Sequence, residues 1–112
     1  MIKQYEIYWV NFDPTVGAEI GKQRPALVLS PNEMNDNLKN VTVAAITSTS
    51  KGYPTRVNID HLKKVKGEIV LDQIRTIDKS RITSKAIEKL DANTVKQVKA
   101  IIYEMFIAEQ NT

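Results

Sequence analysis

The hydrophobic pattern changes period once along the chain, and that change limits what the chain can fold into. Up to about residue 75 the apolar residues come in short runs of β-branched and aromatic types, interrupted by Gly, Pro, Asn or Asp. EIYWVNF, Glu6 to Phe12, reads as a first strand and stops at the turn signal Asp13-Pro14. PALVLS, Pro25 to Ser30, has the unbroken apolar character of a strand buried on both faces. VTVAAI (Val41 to Ile46), TRVNI (Thr55 to Ile59) and GEIVLDQI (Gly67 to Ile74) give further strands, and RITS and KAIEKL read as small edge strands or turns. From Asn93 or Thr94 the spacing becomes helical. Val95, Val98, Ile101, Ile102, Met105 and Phe106 fall on one face, with Asp91 or Asn93 available as a cap. Strands at close spacing followed by one helix predict a mainly β (α+β) fold, a compact barrel or sandwich with a helix of about 24 Å across it.

At 112 residues there is material for one modest core, so the whole of 1–112 is expected to be a single domain. No internal repeat or linker divides it. The opening MIKQYEIYWV lacks the apolar stretch of a signal peptide, and no run approaches the roughly 20 apolar residues of a membrane span. The absence of cysteine removes disulfides, a thiol nucleophile and thiolate metal sites, and suits a reducing cytoplasm. A net charge of +3 is a mild basic bias, compatible with a polyanionic partner.

Elimination narrows the chemistry. His61 is the one histidine and reads as a surface loop residue within HLKKVK, which leaves a multi-histidine metal site or a Ser/His/Asp triad without support. There is no P-loop, GxGxxG or HExxH pattern, and the carboxylates are scattered rather than clustered for two metals. No metal or cofactor is therefore expected. What remains is arginine, several hydroxyls, and one or two carboxylates near strand ends. Arg24 is notable because it precedes Pro25, which restricts it to an extended conformation and fixes the direction in which its side chain leaves the backbone. Such parts suit RNA cleavage, since RNA carries its own 2'-hydroxyl nucleophile and needs in-line positioning and stabilisation of phosphate charge. A guanidinium fits that charge with two parallel hydrogen bonds. The alternative for Arg24 is an exposed or salt-bridged residue at a strand end.

IYWVNFDPTVGAEIGKQRPALVLS, then VAAITS, then GEIVLDQIRTIDKSRI, in that order, closely resembles the MazF/PemK family, the ribonuclease toxins of toxin-antitoxin modules. The resemblance runs from about Glu6 to Leu90. It implies an SH3-like small β barrel of the MazF/PemK/CcdB type with a C-terminal helix, a homodimer, and metal-independent cleavage of single-stranded RNA. It also implies a cognate antitoxin protein as partner and no membrane association. The family's catalytic arginine falls on Arg24 and its catalytic hydroxyl on Thr47. Ser48 is a poor substitute, because the next residue on a strand points to the other face. Asp72 is a possible base or a ligand for a base edge, against a structural alternative in which Asp72 or Asp78 pairs with Arg75 or Arg81. Gln73 and Arg75 lie where family members contact RNA. Glu19 and Gln23, in or beside the Val16 to Gln23 loop, and Tyr53, in the Thr49 to Tyr53 loop, are further RNA-binding candidates. Trp9, mid-strand in an apolar run, reads as barrel core rather than a base-stacking platform. Many family members carry Gly-Asp or Gly-Glu before the first strand, where this chain has Tyr5-Glu6.

Two other functions are weighed against the toxin ribonuclease. One is a CcdB-like gyrase poison, which shares the fold but acts through a C-terminal Trp-Gly-Ile type motif, whereas this chain ends YEMFIAEQNT. The other is a noncatalytic RNA-binding or antitoxin-binding relic, disfavoured by the presence of both Arg24 and Thr47.

Overall fold

The computed structural model describes residues 1–109; the final residues 110–112, part of the ending on which the CcdB comparison rests, lie outside the described residues. Six strands, β1 (Glu6–Asn11), β2 (Gln23–Val28), β3 (Asn40–Thr47), β4 (Arg56–Asn58), β5 (Glu68–Asp78) and β6 (Glu88–Lys89), form one antiparallel sheet in the order β4-β5-β3-β2-β1-β6. A short helix α1 (Asn32–Asn37) links β2 to β3, and the long helix α2 (Ala92–Phe106) follows β6. The fold is the mainly β arrangement with a C-terminal helix that the change of period predicts.

The continuous apolar runs reflect burial on both faces of the sheet. Ile7, Leu27, Ala44, Ile46, Ile69 and Leu71 point to one side, where they meet Leu62 and Val65 of the β4-β5 connection and Val98 of α2. Tyr8, Val10, Phe12, Ala26, Val28, Val43 and Ala45 form a second cluster on the other. Strand alternation divides them, because successive side chains leave opposite faces.

Curling brings the two edges of the sheet together. Glu88 on β6 accepts hydrogen bonds from the backbone N–H groups of Lys63 (3.0 Å), Lys64 (2.8 Å) and Val65 (3.1 Å), all in the connection that leaves β4 at the opposite edge. Nearby, Asp91 caps α2 by accepting from the Thr94 N–H and hydroxyl, and His61 Nε2 lies 2.8 Å from the same carboxylate. His61 is thus exposed, as its loop position predicts, but tied to the helix start. The Thr94 and His61 hydrogen bonds hold the Asp91 carboxyl well below the usual carboxylate range.

Several boundaries differ from the sequence reading. β2 begins at Gln23, so Arg24 and Pro25 lie within the strand rather than before it and at its start. β5 continues to Asp78, past the expected end at Ile74, because Arg75 and Ile77 pair with Val43 and Val41 of β3. Between Ala44 and Ile46 the β3-β5 register shifts. RITS makes a bridge from Ile82 to Val10, and KAIEKL supplies β6. Tyr5 has φ 65°, a left-handed conformation that glycine adopts without steric cost, which accounts for the family's glycine at this position.

Trp9 is the one clear correction to the expected core. It is 42% exposed, while its strand neighbour Val10 is fully buried. Its face of β1 is the one that buries Ile7, but two residues further along, past the core, the same face opens onto a surface pocket.

The edge closure leads to a stability prediction. Partial burial works against the charge on Glu88, but the Lys64, Lys63 and Val65 N–H groups more than offset this and hold its pKa below the ordinary value. A depressed folded-state pKa contributes stability that is complete above the unfolded value, near 4.3, and is lost as pH falls through the folded one. Glu88→Ala should cost about 1–2 kcal/mol at pH 7, reduced from the full value of charged hydrogen bonds by solvent access. Urea melts at pH 7 and pH 3 should show the difference from wild type shrinking at the lower pH; an equal difference at both would contradict the carboxylate's role.

Candidate active site

The site begins where the β2-β3 ladder stops. β2 and β3 pair through Val28↔Val43, Leu27↔Ala44 and Ala26↔Ala45, and the ladder goes no further. Pro25 explains the stop. Its partner on β1 is Trp9, whose backbone N–H donates to Ser84 Oγ and whose carbonyl accepts from the Thr83 N–H, so the Trp9 polar groups face away from β2. In an antiparallel pair both residues of such a rung turn their backbone groups outward. The nitrogen of Pro25 therefore faces β3, and proline has no hydrogen to donate there.

Carrying the register two places beyond Ala26↔Ala45 sets Arg24 opposite Thr47. The even spacing also keeps Arg24 on the face of Ala26 and Val28, and Thr47 on that of Ala45 and Val43. Two residues far apart in sequence thus share one face at one end of the sheet. Ser48 leaves by the other face and lines the pocket beside Trp9.

Arg24 is half-buried. Its Nε donates to the Gly21 carbonyl at 3.0 Å, and among the described residues no carboxylate pairs with it, so both terminal nitrogens remain available. Thr47 is buried, and its Oγ1 accepts from the Thr49 N–H at 3.2 Å, which leaves the hydroxyl hydrogen free to donate. Behind it, Gly67 has φ 116°, and a Cβ there would run into the Thr47 carbonyl. Only glycine lets the start of β5 approach this closely.

A buried carboxylate that sequence reasoning missed orders the loop after Thr47. Glu68, opposite Thr47 on β5, accepts from the Lys51 N–H (3.1 Å), the Gly52 N–H (3.0 Å) and the Ser50 hydroxyl (3.0 Å). The Lys51 hydrogen bond leads the effects that lower its pKa, against the cost of burial. The available signal was an acidic residue opening an otherwise apolar strand, GEIVL.

The remaining candidates fall into two groups. On the Arg24 and Thr47 face, a cavity of about 380 Å³ is lined by Phe12, Glu19, Ile20, Gln73 and Arg75. Gln73 pins the loop between β1 and β2, accepting from the Ile20 N–H at 2.8 Å and donating to the Ala18 carbonyl at 3.3 Å. Glu19 accepts from the Val16 N–H within that loop. Arg75 donates to the Phe12 carbonyl at 2.8 Å. Gln23 instead lines the Trp9 pocket.

Asp72 and Tyr53 sit elsewhere. Asp72 pairs with Arg56 (Nε to Oδ1, 3.2 Å) and accepts from the Thr55 hydroxyl, so the expected partners Arg75 and Arg81 are replaced. Partial burial opposes its charge, but the Arg56 and Thr55 bonds prevail and hold the carboxyl low. Asp78 caps the short 3₁₀ turn through Ser80, while Arg81 donates to the Asn11 and Asp13 carbonyls. Tyr53 is exposed, with the Arg56 guanidinium 4.8 Å from its ring centre. Among the described residues no group of three His, Cys, Asp or Glu side chains is placed to hold a metal ion.

Comparison with known proteins places the chain's fold and family. Endoribonuclease EndoA of Bacillus subtilis is 37% identical over 103 residues, covering 88% of each chain. The crystal structure of MazF (Form-I) from Deinococcus radiodurans superposes with a TM-score of 0.85 at 29% identity, covering 93% of this chain and 94% of that one. The MazE-MazF crystal structure (Form-II) from the same organism gives 0.79 at 29% identity with the same coverage. The family model described as "PemK-like, MazF-like toxin of type II toxin-antitoxin system" matches residues 3–106, and the chain belongs to that family.

Proposed function

We propose that the chain, taken over residues 1–112 as one toxin domain, is a cytoplasmic endoribonuclease that cleaves single-stranded RNA with Arg24 and Thr47. The observation that supports the residue assignment is the β2-β3 register, whose last pair is Ala26↔Ala45; carried two places further, past the stop at Pro25, it brings Arg24 toward Thr47. Arg24 brings a charge that no carboxylate among the described residues neutralises, and Thr47 brings a hydroxyl whose acceptor side is already engaged. A scissile phosphate between them receives guanidinium N–H donors and one O–H donor on its non-bridging oxygens. Negative charge grows on those oxygens as the neighbouring 2'-oxygen attacks.

The reaction balances without a cofactor. The 2'-oxygen loses its proton and bonds to phosphorus, the bond from phosphorus to the 5'-oxygen breaks, and that oxygen takes up a proton. The products are a 2',3'-cyclic phosphate and a 5'-hydroxyl. Phe12, Glu19, Gln73 and Arg75 line the adjoining cavity, where neighbouring bases are read. Membership of a toxin-antitoxin family, together with a MazF relative solved as a MazE-MazF complex, supports a toxin held inactive by a cognate antitoxin, and the toxin is read as a homodimer. Among the described residues no helix is long and apolar enough to cross a membrane.

Three measurements test this reading. Purified protein should cut a long mixed RNA in excess EDTA, and one 2'-deoxy sugar just 5' of a mapped cut should block it; undiminished cleavage of that substrate would refute the mechanism. Arg24→Ala should slow cleavage by about 10² to 10³ or more with the fold intact, Thr47→Ala should also impair it, and Arg24→Lys should restore little because the planar fork is lost. Near wild-type turnover by Arg24→Ala would remove Arg24 from the reaction. An acidic antitoxin segment should compete with noncleavable RNA for Arg24→Ala protein and lose affinity as salt rises; simultaneous binding of both at full affinity would overturn the shared groove.

A further inference from the structure

The pocket beside Trp9 adjoins the catalytic pair, because Arg24 is among the residues that line it, but the chemistry above gives the rest of it no role. It has a volume of about 460 Å³, and Trp9, Gln23, Arg24, Ser48, Lys64 and Lys66 line it together with several apolar side chains. Among the described residues no aspartate or glutamate lines it. We infer that it is a nucleotide subsite, in which the RNA strand continuing past the cut stacks a base on Trp9 and presents a phosphate to Lys64. The inference rests on the endoribonuclease reading and extends it around the end of the sheet.

The occupant follows from the lining. A half-exposed indole in the middle of a strand offers a flat apolar surface, and every base has a π-face that stacks on such a ring. The cations do not share one role. The Lys66 ammonium is committed to the Asp60 and Leu62 carbonyls, so it shapes the loop. Lys64 is exposed, with no such bond to its ammonium among the described residues. Glu88 moderates its field but spends its oxygens on backbone N–H groups. An apolar protein segment in this pocket would bury Gln23 and leave Lys64 unmatched, whereas a nucleotide satisfies amide, hydroxyl and ammonium together.

The path is short because neighbours on one strand leave by opposite faces. Gln23 adjoins Arg24 and Ser48 adjoins Thr47, so a chain lying on the catalytic pair needs only to round the ends of β2 and β3 to reach the pocket.

Trp9 is the only tryptophan in the chain, so its emission reports on the pocket directly. The test titrates wild-type protein with a fluorescein-labelled RNA carrying a 2'-deoxy sugar at a mapped cut, reading label anisotropy and tryptophan emission in the same sample. Both signals should change together. Trp9→Ala should weaken binding by about 5- to 100-fold, Trp9→Phe should restore most of it, and the loss should vanish for oligonucleotides shortened on one side of the cut. The loss should appear in KM more than in kcat. Lys64→Gln should lower the slope of log affinity against log salt by roughly 0.7, one single-strand phosphate contact. Saturating anisotropy with unaltered tryptophan emission, together with wild-type affinity in Trp9→Ala, would overturn the subsite and leave the ribonuclease reading standing. RNA that never raises the anisotropy would overturn both. A Trp9→Ala protein that keeps its RNA affinity but changes its sedimentation would assign the surface to a protein contact, against the inference.

Discussion

A sheet of six strands has two edges, and the carboxylate of Glu88 is what joins them here. β6 is only Glu88–Lys89, too short to continue the ladder around to β4. One ionised carboxylate has about four acceptor positions, enough for the three N–H groups that the Lys63 to Val65 segment turns toward it. The bond does more than close the barrel. It draws Leu62 and Val65 into the core and holds the Lys64 to Lys66 segment beside Ile87 and Trp9, which creates the second pocket. The pocket is therefore a consequence of how the sheet is closed.

The catalytic geometry depends on a second economy, a missing donor. Had residue 25 carried an N–H facing β3, the ladder would have run on and the Arg24 and Thr47 backbones would have been locked side by side as an ordinary rung. Proline ends the pairing while leaving the strands antiparallel and in register, so the two side chains stay on one face beyond the last bonded pair. Gly67 and Glu68 then fix what the lost pairing no longer holds. Gly67 lets β5 press against the Thr47 carbonyl, and Glu68 ties down the Ser50 to Gly52 turn that follows.

Local signals in the sequence were sufficient for the strands, the loop before β2, and α2, though they left its cap open between Asp91 and Asn93, because each rests on apolar periodicity or a residue with fixed backbone preferences. The pre-proline constraint likewise drew attention to Arg24. What it could not reveal was distance across the sheet. The environment of Trp9 depends on where the core ends along β1, and an apolar run carries no mark of that limit. The sequence set Asp72 against Arg75 or Arg81, and only the β4-β5 register, Arg56↔Val70, brings the distant Arg56 to it instead. The partners of Glu68 and Glu88 were illegible for a related reason. Apart from the Ser50 hydroxyl on Glu68, those partners are backbone N–H groups, which every residue carries and no residue type announces.

The arginines divide their labour by what their nitrogens already hold. Arg75 and Arg81 donate to carbonyls around Phe12, Asn11 and Asp13, and Arg56 is neutralised by Asp72, so all three stabilise backbone or loops. Arg24 holds the Gly21 carbonyl through Nε alone, which steadies the side chain and leaves its outer edge for an anion. That contact also couples it to the loop that Gln73 pins at Ile20 and Ala18. A shift in this loop would move Gly21 and turn the guanidinium with it. Base recognition in the adjoining cavity and phosphate charge stabilisation at Arg24 are thus mechanically linked through four residues of loop. A base that displaces Gln73 from Ile20 would lower turnover by misaiming Arg24, even where its own contacts were favourable.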